Sequence, residues 1–282
     1  MRAACIAILA AWVCAAMPSP QERNEYNSPF VPMPLEIINV MLDAVELTES
    51  DMVFDLACGD GRVAISAAIR GARGIGIDLD ANKISDCEEN AKLLGVDEQI
   101  KFYQTDFFRV PLAKASVVAI YLLPEVNIKL RPKLLNELKP GSRVVSHDFH
   151  MGEWEADSVI HTEKSTIYMW VVPGNVSGTW NWNFANEKRK RFSLCVIQRY
   201  QRLSGSITSS NSTPRIRELQ MSGDKIRVVI DENGKGKTVL TGIVKENIIE
   251  GSATLPDGTK QKWQAAREEE TIAPIFFPDG GI

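Results

Sequence analysis

Val53-Phe54-Asp55-Leu56-Ala57-Cys58-Gly59-Asp60-Gly61-Arg62 is the stretch that decides the fold. Its apolar first half reads as a buried strand, with an acid, Asp55, at the carboxyl end. A glycine-rich turn follows and opens a helix. That order lets the backbone approach a ligand closely at the top of a parallel sheet. Asp55 limits which ligand. A carboxylate there repels a pyrophosphate and attracts a cationic amino-acid moiety. The loop therefore points to a nucleoside carrying positive charge rather than to a dinucleotide.

The alternation continues on both sides. Upstream, Pro34 opens a helical pattern in which Leu35, Ile38, Met41, Leu42 and Val45 recur at helical spacing. Downstream, residues 62–70 read as a helix, 74–78 as a second strand, 81–94 as a helix ended by Gly95, and 100–105 as a third strand. Residues 116–123 form a continuous apolar strand, as expected when both faces are covered. Residues 125–138 are helical, with Pro132 implying a late start or a kink. Pro140-Gly141 then turns the chain into a strand over 143–149. Strands alternating with helices predict an α/β, doubly wound parallel sheet with right-handed crossovers. After Gly152 the alternation stops. Residues 158–162 and 166–172 are extended with no helix between them, and read as a terminal antiparallel hairpin.

Beyond Pro173 helical periodicity disappears. Residues 192–200, 225–230, 238–244 and 248–255 read as short strands, and Asn233-Gly234, Glu246-Asn247 and Asp257-Gly258 as the turns between them. Trp263-Gln264-Ala265 closes the pattern. The expectation is a small antiparallel β domain over residues 180–270, with the Ser/Thr-rich stretch 204–212 as a mobile loop.

Bulk properties narrow the function. The 282 residues carry a net charge of −4, which removes the electrostatic case for binding nucleic acid. Cys5, Cys14, Cys58, Cys87 and Cys195 show neither metal-ligand spacing nor a disulfide framework. Cys58 and Cys87 read as free thiols, packed or beside a ligand. His147-Asp148-Phe149-His150 lacks a third histidine or cysteine at ligand spacing, so no metal is expected. Lys188-Arg189-Lys190-Arg191 reads as a solvated edge. Asn175-Val176-Ser177 and Asn211-Ser212-Thr213 match glycosylation sequons. Residues 1–20 hold Arg2, an apolar run over 3–17 and a break at Pro18-Ser19-Pro20. They read as a signal peptide or membrane anchor, shorter than the roughly 20 apolar residues a spanning helix needs. Residues 21–33 read as a linker. The expected location is exported, periplasmic or membrane-anchored, with a cytoplasm-facing site as the alternative.

Acids fall at successive strand ends: Asp55 after the first, Asp78 after the second and Asp106 after the third. Tyr121-Leu122-Leu123-Pro124 ends the fourth. Ligands of doubly wound sheets bind beyond these carboxyl ends, at the point where the strand order reverses. An acid at the second end suits ribose hydroxyls, and one at the third suits an adenine amino group. Two other readings stand beside this one. The loop is a plain tight turn, or Gly59-x-Gly61-x-x-Ala64 is a degenerate nicotinamide fingerprint. Asp55 and the terminal hairpin argue against the nicotinamide reading.

These residues resemble the class I, seven-strand S-adenosylmethionine-dependent methyltransferases, over roughly residues 30–175. The resemblance implies S-adenosylmethionine as cofactor. Asp55, Ala57, Gly59 and Gly61 would line its methionine part, Asp78 its ribose, and Asp106 with Phe107 its adenine. Ala57 stands where many members have glycine, a change of little effect if its φ is negative. A narrower resemblance lies in Tyr121-Leu122-Leu123-Pro124-Glu125-Val126-Asn127, Leu130-Arg131-Pro132-Lys133-Leu134-Leu135 and Arg143-Val144-Val145-Ser146-His147-Asp148-Phe149, with Val31-Pro32-Met33-Pro34 upstream. This is similar to the ATP synthase c-subunit lysine N-methyltransferase family and its bacterial relatives. In that family the segment before the first helix helps close the cofactor site, and Met33 stands where a small polar residue is expected. The resemblance implies a methyltransferase domain over 34–175 and a protein lysine as acceptor. Tyr121 and Asp148 are the catalytic candidates: Tyr121 and the carbonyls of residues 121–124 orient the amine, and Asp148 or Glu125 takes its proton through water. A small-molecule or lipid acceptor, membrane association through the N-terminus, and a non-catalytic binding protein are the alternative readings.

Overall fold

The computed structural model describes residues 31–184, 190–210, 212–232, 234 and 236–275. The leader expected at 1–20, most of the 21–33 linker, and the sequon asparagine Asn211 lie outside the described residues. The first helix, α1 (Leu35–Ala44), starts at Pro34, whose carbonyl accepts the Ile37 and Ile38 N–H groups at 3.0 and 3.2 Å. Then come β1 (Met52–Leu56), α2 (Arg62–Ile69), β2 (Arg73–Asp78), α3 (Ala81–Leu93), β3 (Ile100–Gln104), β4 (Val117–Ile120), α4 (Pro124–Glu137), β5 (Arg143–His147), β6 (Ser158–His161) and β7 (Thr166–Val171). The sheet order is β3-β2-β1-β4-β5-β7-β6. β1 to β5 are parallel, whereas β7 runs antiparallel to β5 and β6 antiparallel to β7. The order reverses between β1 and β4, which is where such sheets open a ligand crevice. Every residue of β4 is buried. α1 and α2 cover one face of the sheet through Ile38, Met41, Leu42, Val63 and Ala67, which pack on Val53, Val117, Ala119 and Val145.

Several boundaries differ from the sequence reading, each for a local reason. β4 ends at Ile120 rather than residue 123. Leu123 precedes a proline and is held extended (φ −59°, ψ 154°), and Pro124 then takes the first helical position, where a missing N–H is harmless. α4 therefore starts early, and Pro132 neither delays nor ends it. β5 stops at His147 because Asp148 adopts φ 60°.

The second sheet has eight strands: β8 (Gly178–Asn183), β9 (Arg191–Arg199), β10 (Arg202–Ser209), β11 (Arg215–Ser222), β12 (Lys225–Asp231), β13 (Lys237–Lys245), β14 (Ile248–Thr254) and β15 (Lys260–Arg267). β8, β9 and β10 pair in succession, as do β11 to β15, and β15 returns to β8. β10 and β11 lie side by side at the remaining seam. The sheet thus curls into an up-and-down barrel filled by Trp180, Trp182, Phe192 and Trp263. The expected mobile loop over 204–212 is corrected: residues 204–209 belong to β10. Gly205 lies so close to β9 that a Cβ there would stand 2.2 Å from the Cys195 carbonyl oxygen. Asn175 donates through Nδ2 to the Ala273 carbonyl (2.9 Å) and accepts from Ser177, so this sequon asparagine is engaged in the fold.

The barrel is fastened at the amino ends of the parallel strands. β7 leaves the sheet beside the start of β5, where Val171 faces Arg143. Gly174 N–H donates to the Gly223 carbonyl at 2.8 Å, and Gly223 lies against Gly141. The β9–β10 turn holds the segment leading down to β6 through Arg199 to Glu153 (2.7 Å), Gln201 to the Glu155 carbonyl (2.6 Å) and Tyr200 stacked 6.3 Å from Trp154.

Candidate active site

The cofactor-side residues meet where β1 and β2 end. Asp55 is buried, and its Oδ2 accepts the Ala64 N–H of α2 at 3.3 Å. Asp78 closes β2; its Oδ2 accepts the Gly59 N–H and its Oδ1 the Asp80 N–H, both at 3.0 Å. Each Asp78 oxygen keeps a lone pair for a ribose hydroxyl. Gly59 and Gly61 take φ 57° and 78°. A Cβ on Gly61 would stand 2.9 Å from Cys87 Sγ, so α3 seals the loop from beneath. Cys87 donates to the Gly59 carbonyl (3.1 Å) and Asn90 Nδ2 to the Asp60 carbonyl (3.1 Å). Cys58 and Cys87 are free thiols, as expected. Ala57 is a correction: its φ is +63°, not negative, so its methyl group sits in the left-handed region at a cost of about 1 kcal/mol.

Charge explains what this cradle takes. Burial pushes the Asp55 carboxyl up to about 7; the charges of Asp78 and Asp60 push the same way, and the Ala64 N–H opposes them. Burial also raises Asp60, but its hydrogen bonds and ion pair with Arg62 outweigh that and leave it below the usual carboxylate range. The Arg62 guanidinium is thus committed to Asp60, and the carboxyls of Asp55 and Asp78 meet only backbone N–H groups among the described residues, with no cation of their own. A ligand carrying a sulfonium and an ammonium fits these carboxyls. Arg62 Nη1 also donates to the Met33 carbonyl at 2.6 Å, strapping the segment before α1 to the loop. Met33 makes this contact through its backbone while its side chain is buried in the core of α1, α2 and the sheet, so the unexpected side chain leaves the strap intact. Sequence reasoning missed Arg62; its place directly after Gly61 was the available signal. Asp106, beyond β3, spends Oδ1 on the Phe108 N–H (2.8 Å), while Phe107 is buried with its ring 4.8 Å from that of Phe108.

Tyr121 and Asp148 gather beyond β4 and β5. Tyr121 is half-buried. Burial, then the charge of Asp148, raise its phenol and keep it neutral. Asp148 Oδ1 accepts the Thr166 N–H at 2.9 Å. Between the two lies His147, with its ring 4.2 Å from that of Tyr121 and its Nε2 3.3 Å from Asp148 Oδ2. Fully buried Asn127 donates to the Phe149 carbonyl (3.2 Å), which also accepts from Ser146 Oγ (2.7 Å). Sequence reasoning missed His147 and Asn127 as members of this group. Glu125 is exposed on the first turn of α4, and no metal-holding group of His, Cys, Asp or Glu occurs among the described residues.

Comparison with known proteins agrees with this geometry. The sequence model of the ANTKMT methyltransferase domain matches residues 55–158. A protein-lysine N-methyltransferase of Saccharolobus islandicus is 37% identical over 150 residues, 51% of this chain and 93% of that protein. The human ATP synthase c-subunit lysine N-methyltransferase is 29% identical over 140 residues, 50% of this chain and 60% of that protein. Among solved structures, an RNA methyltransferase from Salinibacter ruber in complex with S-adenosyl-L-homocysteine superposes with a TM-score of 0.51 at 44% identity, covering 52% of this chain and 96% of that one. With the strand order, the acids at the strand ends and these matches together, the chain belongs to the class I S-adenosylmethionine-dependent methyltransferases, in the family of the ANTKMT methyltransferase domain.

Proposed function

We propose that this methyltransferase acts on the side-chain amine of lysine in a protein, with Tyr121 orienting the amine and Asp148 receiving its proton. The observation that carries the reading is the neighbourhood of a neutral phenol and a carboxylate beyond the carboxyl ends of β4 and β5, beside a cradle lined by the carboxyls of Asp55 and Asp78. A lysine amine is a nucleophile only when neutral, and its ordinary pKa is about 10.4. A carboxylate that accepts the proton, and a cationic cofactor nearby, both favour the neutral amine. The bound cofactor supplies a methyl group already activated on a sulfonium. The chain's own task is alignment: Asp78 and the Gly59 to Gly61 turn hold one partner, and Tyr121 with the carbonyls of residues 121–124 holds the amine in line. With the cofactor held there, its methyl group would pass to the amine nitrogen and the neutral thioether would be left, while Asp148 takes the amine proton and passes it to water. The names of the archaeal and human relatives support a lysine acceptor. The name of the Salinibacter neighbour raises RNA instead, but a net charge of −4 and a carboxylate-rich cleft disfavour a polyanion.

The test adds the purified chain, with tritiated S-adenosylmethionine, to lysate from cells lacking it. Label should enter methyl-lysine of protease-sensitive, nuclease-resistant material; label in RNA, lipid or small molecules would overturn the lysine reading. Tyr121→Phe should slow transfer with cofactor affinity intact, whereas Asp78→Ala should lose that affinity. We further propose that residues 1–20 export the chain or anchor it to a membrane. Fractionation with N-terminal sequencing of the mature protein would show a start near residue 20 or a membrane-bound full-length chain.

A further inference from the structure

We propose that His147 is a neutral positioning residue, donating its single Nε2 proton toward Asp148 and Ser165 while its ring holds Tyr121, so that both reacting-side groups face the acceptor amine in fixed orientation. The inference rests on Tyr121 and Asp148 handling that amine.

The geometry around the ring is specific. His147 is the last residue of β5 and is 4% exposed. Its Nε2 lies 2.8 Å from Ser165 Oγ and 3.3 Å from Asp148 Oδ2. A nitrogen facing a carboxylate carries a proton, because two lone pairs would otherwise repel. The tautomer is therefore Nε2–H. Nδ1, buried and without a hydrogen-bond partner among the described residues, is the bare nitrogen. Burial outweighs the opposite pull of Asp148 and pushes the ring below its ordinary value, consistent with a neutral imidazole.

Asp148 is held from both sides. Its own N–H donates to the Thr166 carbonyl at 2.7 Å, and its Oδ1 accepts the Thr166 N–H at 2.9 Å. Its backbone sits at φ 60°, a conformation Asp tolerates better than most residues but which must be enforced by neighbours. Thr166 fixes one carboxylate oxygen and His147 faces the other. The same imidazole lies 4.2 Å from the Tyr121 ring with the planes tilted by 51°, an arrangement that resists rotation of the phenol. One side chain thus sets the orientation of both groups without touching the amine.

The test compares His147→Ala, His147→Gln and Asp148→Asn in the full chain. The readouts are the transfer of tritiated methyl into the lysate proteins, calorimetry of S-adenosylmethionine binding, and nitrogen-15 NMR of the imidazoles. The chain has three histidines, so His150→Gln and His161→Gln assign the spectrum. A misplacement of about 1 Å costs about 100-fold in rate, and His147→Ala should lose that much with cofactor affinity unchanged. Gln places an amide N–H near the Nε2 position, so His147→Gln should recover at least about tenfold of the loss. The resonances should show the Nε2–H tautomer. A His147→Ala variant as fast as the parent, a loss of rate that tracks cofactor affinity, or an Nδ1–H tautomer would overturn the proposal. Slow Asp148→Asn with an unrescued His147→Gln would sink the role of His147 alone. Asp148→Asn at the parent rate would remove the assignment of Asp148 itself, and this inference with it.

Discussion

A carboxyl group buried beside two other carboxyl groups gives up its proton late, and Asp55 is placed that way, with its value pushed from 3.8 to about 7. The sign of the consequence follows from proton counting. Between those two values the folded, ligand-free protein binds more protons at Asp55 than the unfolded chain does, so this group's contribution to stability falls as pH rises through the window. A cationic cofactor needs the ionised form and pulls the equilibrium the other way. Calorimetry should find S-adenosylmethionine binding about tenfold weaker at pH 6 than at pH 8, with proton release at the lower pH. Asp55→Asn should flatten that dependence and weaken binding at pH 8, while raising the melting temperature of the ligand-free protein there. An unchanged pH profile in Asp55→Asn would show that another group titrates. Asp55, Gly59, Gly61 and Asp78 were legible in the sequence because their signal is local: an acid or glycine directly at a strand end. Arg62, Asn127 and His147 were not, because their partners, Met33, Phe149 and Tyr121, are brought to them only by folding.

At the scale of elements, the same distinction separates the two sheets. The parallel strands were legible because buried strands are continuous apolar runs bounded by glycine, proline or acid, and the helices between them carry a 3.6-residue period. In the barrel the signal is weaker. β10 shows only Leu203 and Ile207 on its inner side among serines, threonine and Gly205, and so reads as a loop. β8 does carry a period-2 signal, Trp180 and Trp182 pointing inward, but two residues are too few to mark a strand by themselves. The pairing of β15 with β8 is backed by a contact that no local pattern announces. Arg267, at the end of β15, donates to the carbonyls of Asn175 (3.0 Å), Ser177 (3.2 Å) and Glu246 (2.6 Å), and stacks 4.9 Å from the Trp180 ring. Burial lowers its guanidinium, and an arginine stays charged even so. Arg267→Ala leaves these carbonyls short of donors and should cost about 2 to 4 kcal/mol in urea unfolding followed by tryptophan fluorescence. Affinity for S-adenosylmethionine should not change. A loss below about 0.5 kcal/mol, the range of ordinary surface substitutions, would mean that the β8–β15 pairing holds unaided.

For the whole molecule, the position of the barrel decides what it can do. Cofactor and amine residues lie beyond the carboxyl ends of β1 to β5, whereas the barrel is fixed at the amino ends, at Gly141, Gly174 and Gly223. It therefore does not wall the cofactor crevice. Its attachment is apolar at the centre, with Trp154, Trp170 and Tyr200 buried together and Arg131 5.5 Å above the Tyr200 ring. The rim ion pairs of Arg199 with Glu153 and Arg202 with Glu155 are well exposed and contribute little. The Saccharolobus and Salinibacter proteins match this chain over 93% and 96% of their own lengths with only half of it. A fragment of residues 32–175 is accordingly expected to fold and to bind S-adenosylmethionine within about threefold of the full chain, under 1 kcal/mol. It should be less stable by about 2 to 4 kcal/mol, since Trp154 and Trp170 become exposed to water. Calorimetry and urea unfolding of the two forms separate these effects. A fragment that keeps its stability but loses more than about tenfold in cofactor affinity would mean that the barrel acts on the crevice across the length of the sheet, against the geometry of its attachment.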